Sequence, residues 1–256
     1  MLRNRRVGDN PLILEVKWCG FDYGETIMNA ANLRNAVVFG DIYKTLGKPE
    51  FIPDKIRKYW ILKEKYGSYP QIHEGHKDEL FEFVLDNDSE AIALFKQKEQ
   101  EFLDTADGVE EALAYLRSED IEIYMVSEMK QSPDPIGNDH ITRYLKRQGI
   151  AKYFDGLITP VGKIDFRTNT VDLKYKGSTK AEGTLYDLIA QDLKARGIEP
   201  YEAVMVGDRP ETDITPAHRR GFKTIQYTGF INKGKTEADA VIESFGELKS
   251  IVRKKS

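Results

Sequence analysis

Apolar positions fall into two alternating regimes along the chain. Residues 12–21 form a near-continuous apolar run, interrupted by Glu15 and Lys17 and ending at Asp22, the pattern of a buried strand. From Asn29 to Leu103 the spacing is helical: 29–46, 53–66, 77–85 and 89–103 read as helices broken at Gly47, Pro49, Gly67 and Asn87, with no convincing strand. Helix and strand then alternate. Helices are expected over 108–117, 141–148, 184–195 and 214–220, and strands over 121–126, 153–158, 203–206, 223–227 and 240–242. Short apolar strands between amphipathic helices predict an α/β fold, a doubly wound parallel sheet of Rossmann type covered on both faces. Within 159–177, alternation at Ile164, Phe166, Val171, Leu173 and Tyr175 around Thr168-Asn169 predicts a β-hairpin insertion, read as a decorating flap.

Charge narrows the function classes. Across 256 residues, 38 Lys+Arg against 42 Asp+Glu leave a net charge of -4, which argues against nucleic-acid binding driven by surplus cations. No run approaches the ~18 apolar residues of a membrane span, so a soluble globular protein is expected. Cys19 is the single cysteine, so no intrachain disulfide can form and a cytoplasmic location is expected. Residues 1–10 carry Arg3, Arg5 and Arg6 without a following apolar signal segment, so no export is expected. Lys254 and Lys255 read as a basic, frayed tail.

Ligands of open parallel sheets sit at the carboxyl ends of the strands. The first strand delivers Asp22-Tyr23-Gly24-Glu25-Thr26, the second Ser127, and the strand after Tyr201 delivers Gly207-Asp208 with Asp213 beyond; Lys180 precedes the intervening helix. Carboxylates from separate loops suit a hard divalent cation, with Asp22 and Asp208 as direct ligands, Asp213 reaching back to the ion or its waters, and the Gly24 carbonyl adding an oxygen. An aspartyl oxygen also serves as a nucleophile, and Asp22 is the candidate. Thr26 and Ser127 would hydrogen-bond the transferring group, and Lys180 would offset its charge.

These residues, in this order, resemble the haloacid dehalogenase superfamily, mainly Mg²⁺-dependent phosphohydrolases. Phe21-Asp22-Tyr23-Gly24-Glu25-Thr26 looks like the first motif, Ile123-Tyr124-Met125-Val126-Ser127 the second, Lys180 the third, and Val204-Met205-Val206-Gly207-Asp208 with Asp213 the fourth. The resemblance implies a core of residues 1–29 and 106–256, an all-helical cap domain at 30–105 that selects the substrate, and Mg²⁺ as cofactor. It also implies hydrolysis of a small phosphorylated or phosphonate substrate through an aspartyl-phosphate intermediate, with no nucleic-acid or membrane partner.

One position departs from the pattern. Where the family's phosphatases carry a second Asp that shuttles the leaving-group proton, this chain has Gly24. Two alternatives follow: a phosphonoacetaldehyde-hydrolase-like C–P hydrolase using a Schiff base on Lys63, or a metal- and anion-binding protein with little turnover. Lys55, Arg57, Lys58, Lys63 and Lys65 otherwise read as a solvated helix face. His73 and His76 read as loop residues rather than zinc ligands, and Tyr59, Trp60 and Tyr66 as helix packing rather than a stacking platform.

Overall fold

The computed structural model describes residues 12–66, 72, 75–128, 140–234 and 236–255. The chain divides into two compact units, Met1–Ile27 with Thr105–Ser256, and Met28–Asp104.

The first unit carries strands β1 (Leu14–Val16), β2 (Trp18–Phe21), β3 (Glu122–Val126), β4 (Gly156–Thr159), β5 (Gly162–Asp165), β6 (Thr170–Asp172), β7 (Ala203–Gly207), β8 (Lys223–Tyr227), β9 (Ala240–Ile242) and β10 (Val252–Lys254). The main sheet runs β9-β8-β7-β2-β3-β4-β5-β6. Every pairing from β9 to β4 is parallel, and the last two are antiparallel. The expected parallel α/β sheet is therefore present, extended at one edge by an antiparallel hairpin. Asn169 takes the left-handed conformation at the hairpin turn (φ 59°), and Asp165 Oδ1 accepts the amides of Arg167 (2.8 Å) and Thr168 (2.9 Å).

Both faces of the central strands are covered, which is why their sequences are apolar without alternation. Side chains of β2 still point alternately to the two faces. Trp18 packs with Tyr124, Val126 and Met205 beneath Leu185, Tyr186, Ile189 and Leu193 of the helix Thr184–Ala195. Phe21, on the other face, meets Phe154 and Phe245.

Several expected boundaries move. The run 12–21 is two strands, because at Lys17 the amide donates to Glu202 O (2.7 Å) and the carbonyl accepts from Glu122 N (3.0 Å). β1 thereby leaves the main sheet and pairs in parallel with β10. The basic tail is consequently not frayed as far as Lys255. Lys254 pairs with Asp120 (2.5 Å), and Lys255 and Lys17 both pair with Glu202 (3.0 and 3.1 Å). The helix expected over 214–220 is instead a wide π-type turn, Pro210–Ile214, followed by one short turn, Thr215–His218.

The second unit holds the helices Val37–Thr45, Ile52–Tyr66 and Ser89–Glu101. Ala36 in the left-handed conformation (φ 62°) splits the helix expected over 29–46, leaving a single turn at Ala31–Arg34. Residues expected as one helix over 77–85 form a short α turn, Lys77–Glu79, and a π-type turn, Leu80–Val84. Phe39 is central here, stacked on Phe95 (5.9 Å) and tilted against Tyr59 (5.1 Å). The lysines of Ile52–Tyr66 are not simply a solvated face. Lys55 is buried and paired with Asp86, Lys58 meets Asp86 (2.5 Å) and Asp54 (3.5 Å), and Lys65 meets Glu79 (2.8 Å). Lys63 lies over the Trp60 ring at 4.1 Å, His76 stacks on Tyr66 at 3.7 Å, and His73 falls outside the described residues.

Gly20 on β2 shares a face with Trp18, and a Cβ there would lie 2.5 Å from the Trp18 ring and 3.1 Å from Val126. That ring is held by stacking on Tyr124 (5.9 Å) and cannot yield freely. Gly20→Ala is expected to lower stability by about 1–3 kcal/mol, the usual cost of overpacking, read as a reduced urea midpoint with unchanged slope.

Candidate active site

Strand order explains why distant stretches of sequence meet. β7, β2 and β3 are adjacent, and Phe21 is in register with Val206 on one side and Met125 on the other. The residues that follow these strands, Asp22, Asp208 and Ser127, therefore emerge side by side at one edge. Asp22 N continues the ladder by donating to Val206 O (2.9 Å), and Ser127 N donates to Ile158 O (2.9 Å).

Asp213 is brought back to this edge by the π-type turn. Its amide donates to Arg209 O (2.8 Å), and its Oδ2 accepts Arg209 N (3.0 Å), so the turn and the carboxylate fix each other. Glycine at 207 is a steric requirement, since a Cβ there would lie 2.4 Å from Asp213 Cβ and Cγ.

Lys180 arrives on the loop ahead of Thr184–Ala195. Its ammonium donates to Asp22 Oδ1 (2.6 Å) and Asp213 Oδ1 (2.5 Å), with its side chain 1 % exposed. The loop is held from both sides. Glu128, next to Ser127, accepts the amides of Lys180 and Ala181. Arg220 donates to Glu182 O (3.0 Å) and Pro216 O (3.2 Å), filling the space where a side chain on Gly183 (φ 79°) would stand. One carboxylate oxygen from each of Asp22, Asp208 and Asp213 lies within 4.8 Å of the others, and among the described residues this is the group suited to a metal ion. Asp208 Oδ2 pairs with Lys233, while its Oδ1 is buried without a hydrogen-bond partner among the described residues.

Burial dominates the electrostatics. It pushes the Asp22 carboxyl up to about 6, with Lys180 pulling it down and Asp213 adding to the rise. Burial, followed by the charges of Asp22 and Asp213, pushes Asp208 up to about 7 against the opposing pull of Lys233. For Lys180 burial pulls downward, but Asp213 and Asp22 outweigh it and hold the ammonium above the ordinary lysine range. Asp22 and Asp208 are thus raised chiefly by burial, and Asp208 retains an unused buried oxygen. Such a donor set fits a hard divalent cation.

The remaining sequence candidates are placed by chain position rather than by contact with this cluster. Thr26 is fully buried just beyond Asp22, its hydroxyl without a hydrogen-bond partner among the described residues. Ser127 is buried at the end of β3. Gly24 is partly exposed, and a Cβ there would meet no atom within 4 Å, so the space for a side chain is open. Sequence reasoning missed Lys233 and Glu128. Applying the strand-end rule to β8 as well would have directed attention to the loop containing Lys233.

Residues 178–248 match the HAD-hydrolase-like family model, a segment that includes Lys180, Asp208 and Asp213 but not Asp22 or Ser127. No curated protein matches the chain. Among solved structures, the chain is similar to a HAD phosphatase from Thermococcus onnurineus, with 21% identity, TM-score 0.57, and coverage of 92% of this chain and 97% of that one. It is similar to the putative HAD-hydrolase YfnB from Bacillus subtilis, solved with magnesium, with 15% identity, TM-score 0.58, and coverage of 92% and 98%. It is also similar to a putative β-phosphoglucomutase from Thermotoga maritima, with 19% identity, TM-score 0.60, and coverage of 92% and 97%. These likenesses establish the fold. No helix among the described residues is long and apolar enough to cross a membrane.

A carboxyl whose folded pKa is raised stabilises the fold while protonated and loses that contribution as pH rises through the folded value. With a chelator present, Asp22 and Asp208 are expected to make the protein progressively less stable from the ordinary carboxyl range at about pH 4 up to about pH 6 for Asp22 and about pH 7 for Asp208, so that it is less stable at pH 8 than at pH 5.5. In Asp208→Asn this decline should be shallower. Urea midpoints measured at both pH values check the slope.

Proposed function

We propose that this chain, which has the haloacid dehalogenase fold and carries HAD-hydrolase-like sequence over residues 178–248, is a Mg²⁺-dependent hydrolase of a small phosphorylated metabolite. The observation that carries this reading is the buried ammonium of Lys180, bridging Asp22 and Asp213 while Asp208 keeps an unpartnered oxygen beside them. Asp22, Asp208 and Asp213 would hold the ion, with the Gly24 carbonyl as a further oxygen. When bound, the ion would supply charge neutralisation for an anionic substrate and for the carboxylates themselves.

In this reading Asp22 is the nucleophile. A carboxylate oxygen attacks phosphorus, the bond to the leaving oxygen breaks, and that oxygen takes up a proton. Water then attacks the aspartyl phosphate, releasing phosphate and restoring the carboxylate. Lys180 holds Asp22 by one oxygen and is close enough to balance charge on the transferring group. The hydroxyls of Ser127 and Thr26 are the candidate donors to its oxygens, and Thr26 has its hydroxyl uncommitted.

Proton transfer is the unfilled role. Gly24 has no acidic group, and general acid–base help is worth typically ~10²–10⁴ in rate. The open space at this position supports a side chain being accepted there. The same glycine favours a second reading, a site that binds metal and phosphate with little turnover.

A panel of phosphate esters and phosphonates, assayed with and without Mg²⁺, separates the two readings. Phosphate release should require metal and disappear in Asp22→Asn, whereas absence of release across the panel leaves the binding reading. Gly24→Asp is expected to raise ester hydrolysis at least tenfold, within the range general acid catalysis provides. Because the ion needs ionised carboxylates, the gain in melting temperature on adding Mg²⁺ should be larger at pH 8 than at pH 6, measured by thermal denaturation.

A further inference from the structure

Besides Lys180, a second lysine among the described residues reaches the carboxylates. Lys233, in the loop after β8, donates its ammonium to Asp208 Oδ2 and keeps its side chain 24% exposed, while that of Asp208 is wholly buried. The loop is built to bring it there. Gln226 on β8 is buried and in register with Gly207, the residue before Asp208. Its side-chain amide donates to Gly234 O (3.3 Å) and accepts from Thr236 Oγ1 (2.9 Å), tying the chain on the far side of Lys233 back to the sheet. Gly234 N donates to Asn232 Oδ1 (2.9 Å), and Gly234 takes φ 91°, open to glycine and unfavourable for other residues. A lysine serving only as a solvated surface charge requires no buried amide to direct its loop.

We propose that Lys233 sets the charge of the metal-loaded site, loosening its hold on the cation and tightening its hold on a phosphate-type anion. This rests on the reading of the site given above. With all three carboxylates ionised, Lys180 and Lys233 leave one negative charge in excess among the directly paired groups, with Arg209 acting on Asp22 from outside them. A divalent cation turns that excess positive, and the loaded site attracts an anion. Without Lys233 the cation binds a more negative cluster, and the loaded site is neutral. Low polarity around buried groups makes one unit charge at this range a large effect. Lys233 also occupies only Asp208 Oδ2, leaving Oδ1 for the ion.

Calorimetry on the full chain at pH 8 tests this, with Mg²⁺ titrated alone and inorganic phosphate then titrated into the Mg²⁺-loaded protein. Lys233→Met is expected to bind Mg²⁺ on the order of tenfold more tightly and phosphate on the order of tenfold more weakly than the wild type. Lys233→Arg, which keeps the charge, should restore the phosphate affinity. Lys233→Gln reads the same two affinities with a polar side chain, so a folding defect in one variant does not hide the result. Weaker Mg²⁺ binding in the neutral variants, or unchanged phosphate binding, overturns the proposal while leaving the metal site standing. A wild type that binds no Mg²⁺ overturns the site reading and this proposal together.

Discussion

A lysine ammonium enclosed by carboxylates is the interaction on which the candidate site depends. Three aspartates at one sheet edge repel one another, and burial removes the water that would screen them. Lys180 meets two of them within hydrogen-bond distance and Lys233 pairs with the third, so the acidic cluster is tolerated inside the fold with its charge incompletely balanced. Burial, more than the remaining charge, raises the Asp22 and Asp208 carboxyls, and the three carboxylates form a donor set that suits a hard cation.

Much of the surrounding structure serves to keep these charges in place. Gly207 is small enough for the Asp213 carboxylate to lie against the end of β7, and the π-type turn after it returns that carboxylate to the sheet edge. Glu128 and Arg220 hold opposite sides of the Lys180 loop, one from the residue beside Ser127 and the other from the segment following Asp213. A carboxylate–ammonium contact formed by residues 158 positions apart in sequence is therefore braced by hydrogen bonds of the loops that carry it. Such bracing matters because a charge pair displaced by an ångström loses hydrogen-bond geometry while keeping its desolvation cost.

Gly24 separates the architecture of the site from its chemistry. The backbone there leaves room for a side chain, yet none is present to move a proton. In the proposed reaction, charge stabilisation and proton transfer would call on different groups, and Gly24 offers no acidic side chain for the second. The smaller unit has ion pairs of its own: Lys55 and Lys58 are taken up by Asp86, so a run of cations in sequence is largely neutralised within its own helical packing.

Local patterning determined the alternation of apolar strands and amphipathic helices, and hence the covered parallel sheet, because burial on two faces demands continuous apolar runs in segments as short as β7. It also marked Asp22, Ser127 and Asp208 as strand-end residues, since polarity returns abruptly where a buried strand stops. It did not reveal the break at Lys17, the docking of the tail through Glu202, the left-handed Ala36 or the π-type turn before Thr215. Those features depend on hydrogen bonds and packing with partners distant in the chain, or on a backbone choice that residue type alone does not specify. Only the tertiary structure decided which cation meets which carboxylate. Lys180 and Lys233 differ little from other lysines as residues, and their distinction comes from strand order and from loops that fold back over β2 and β7.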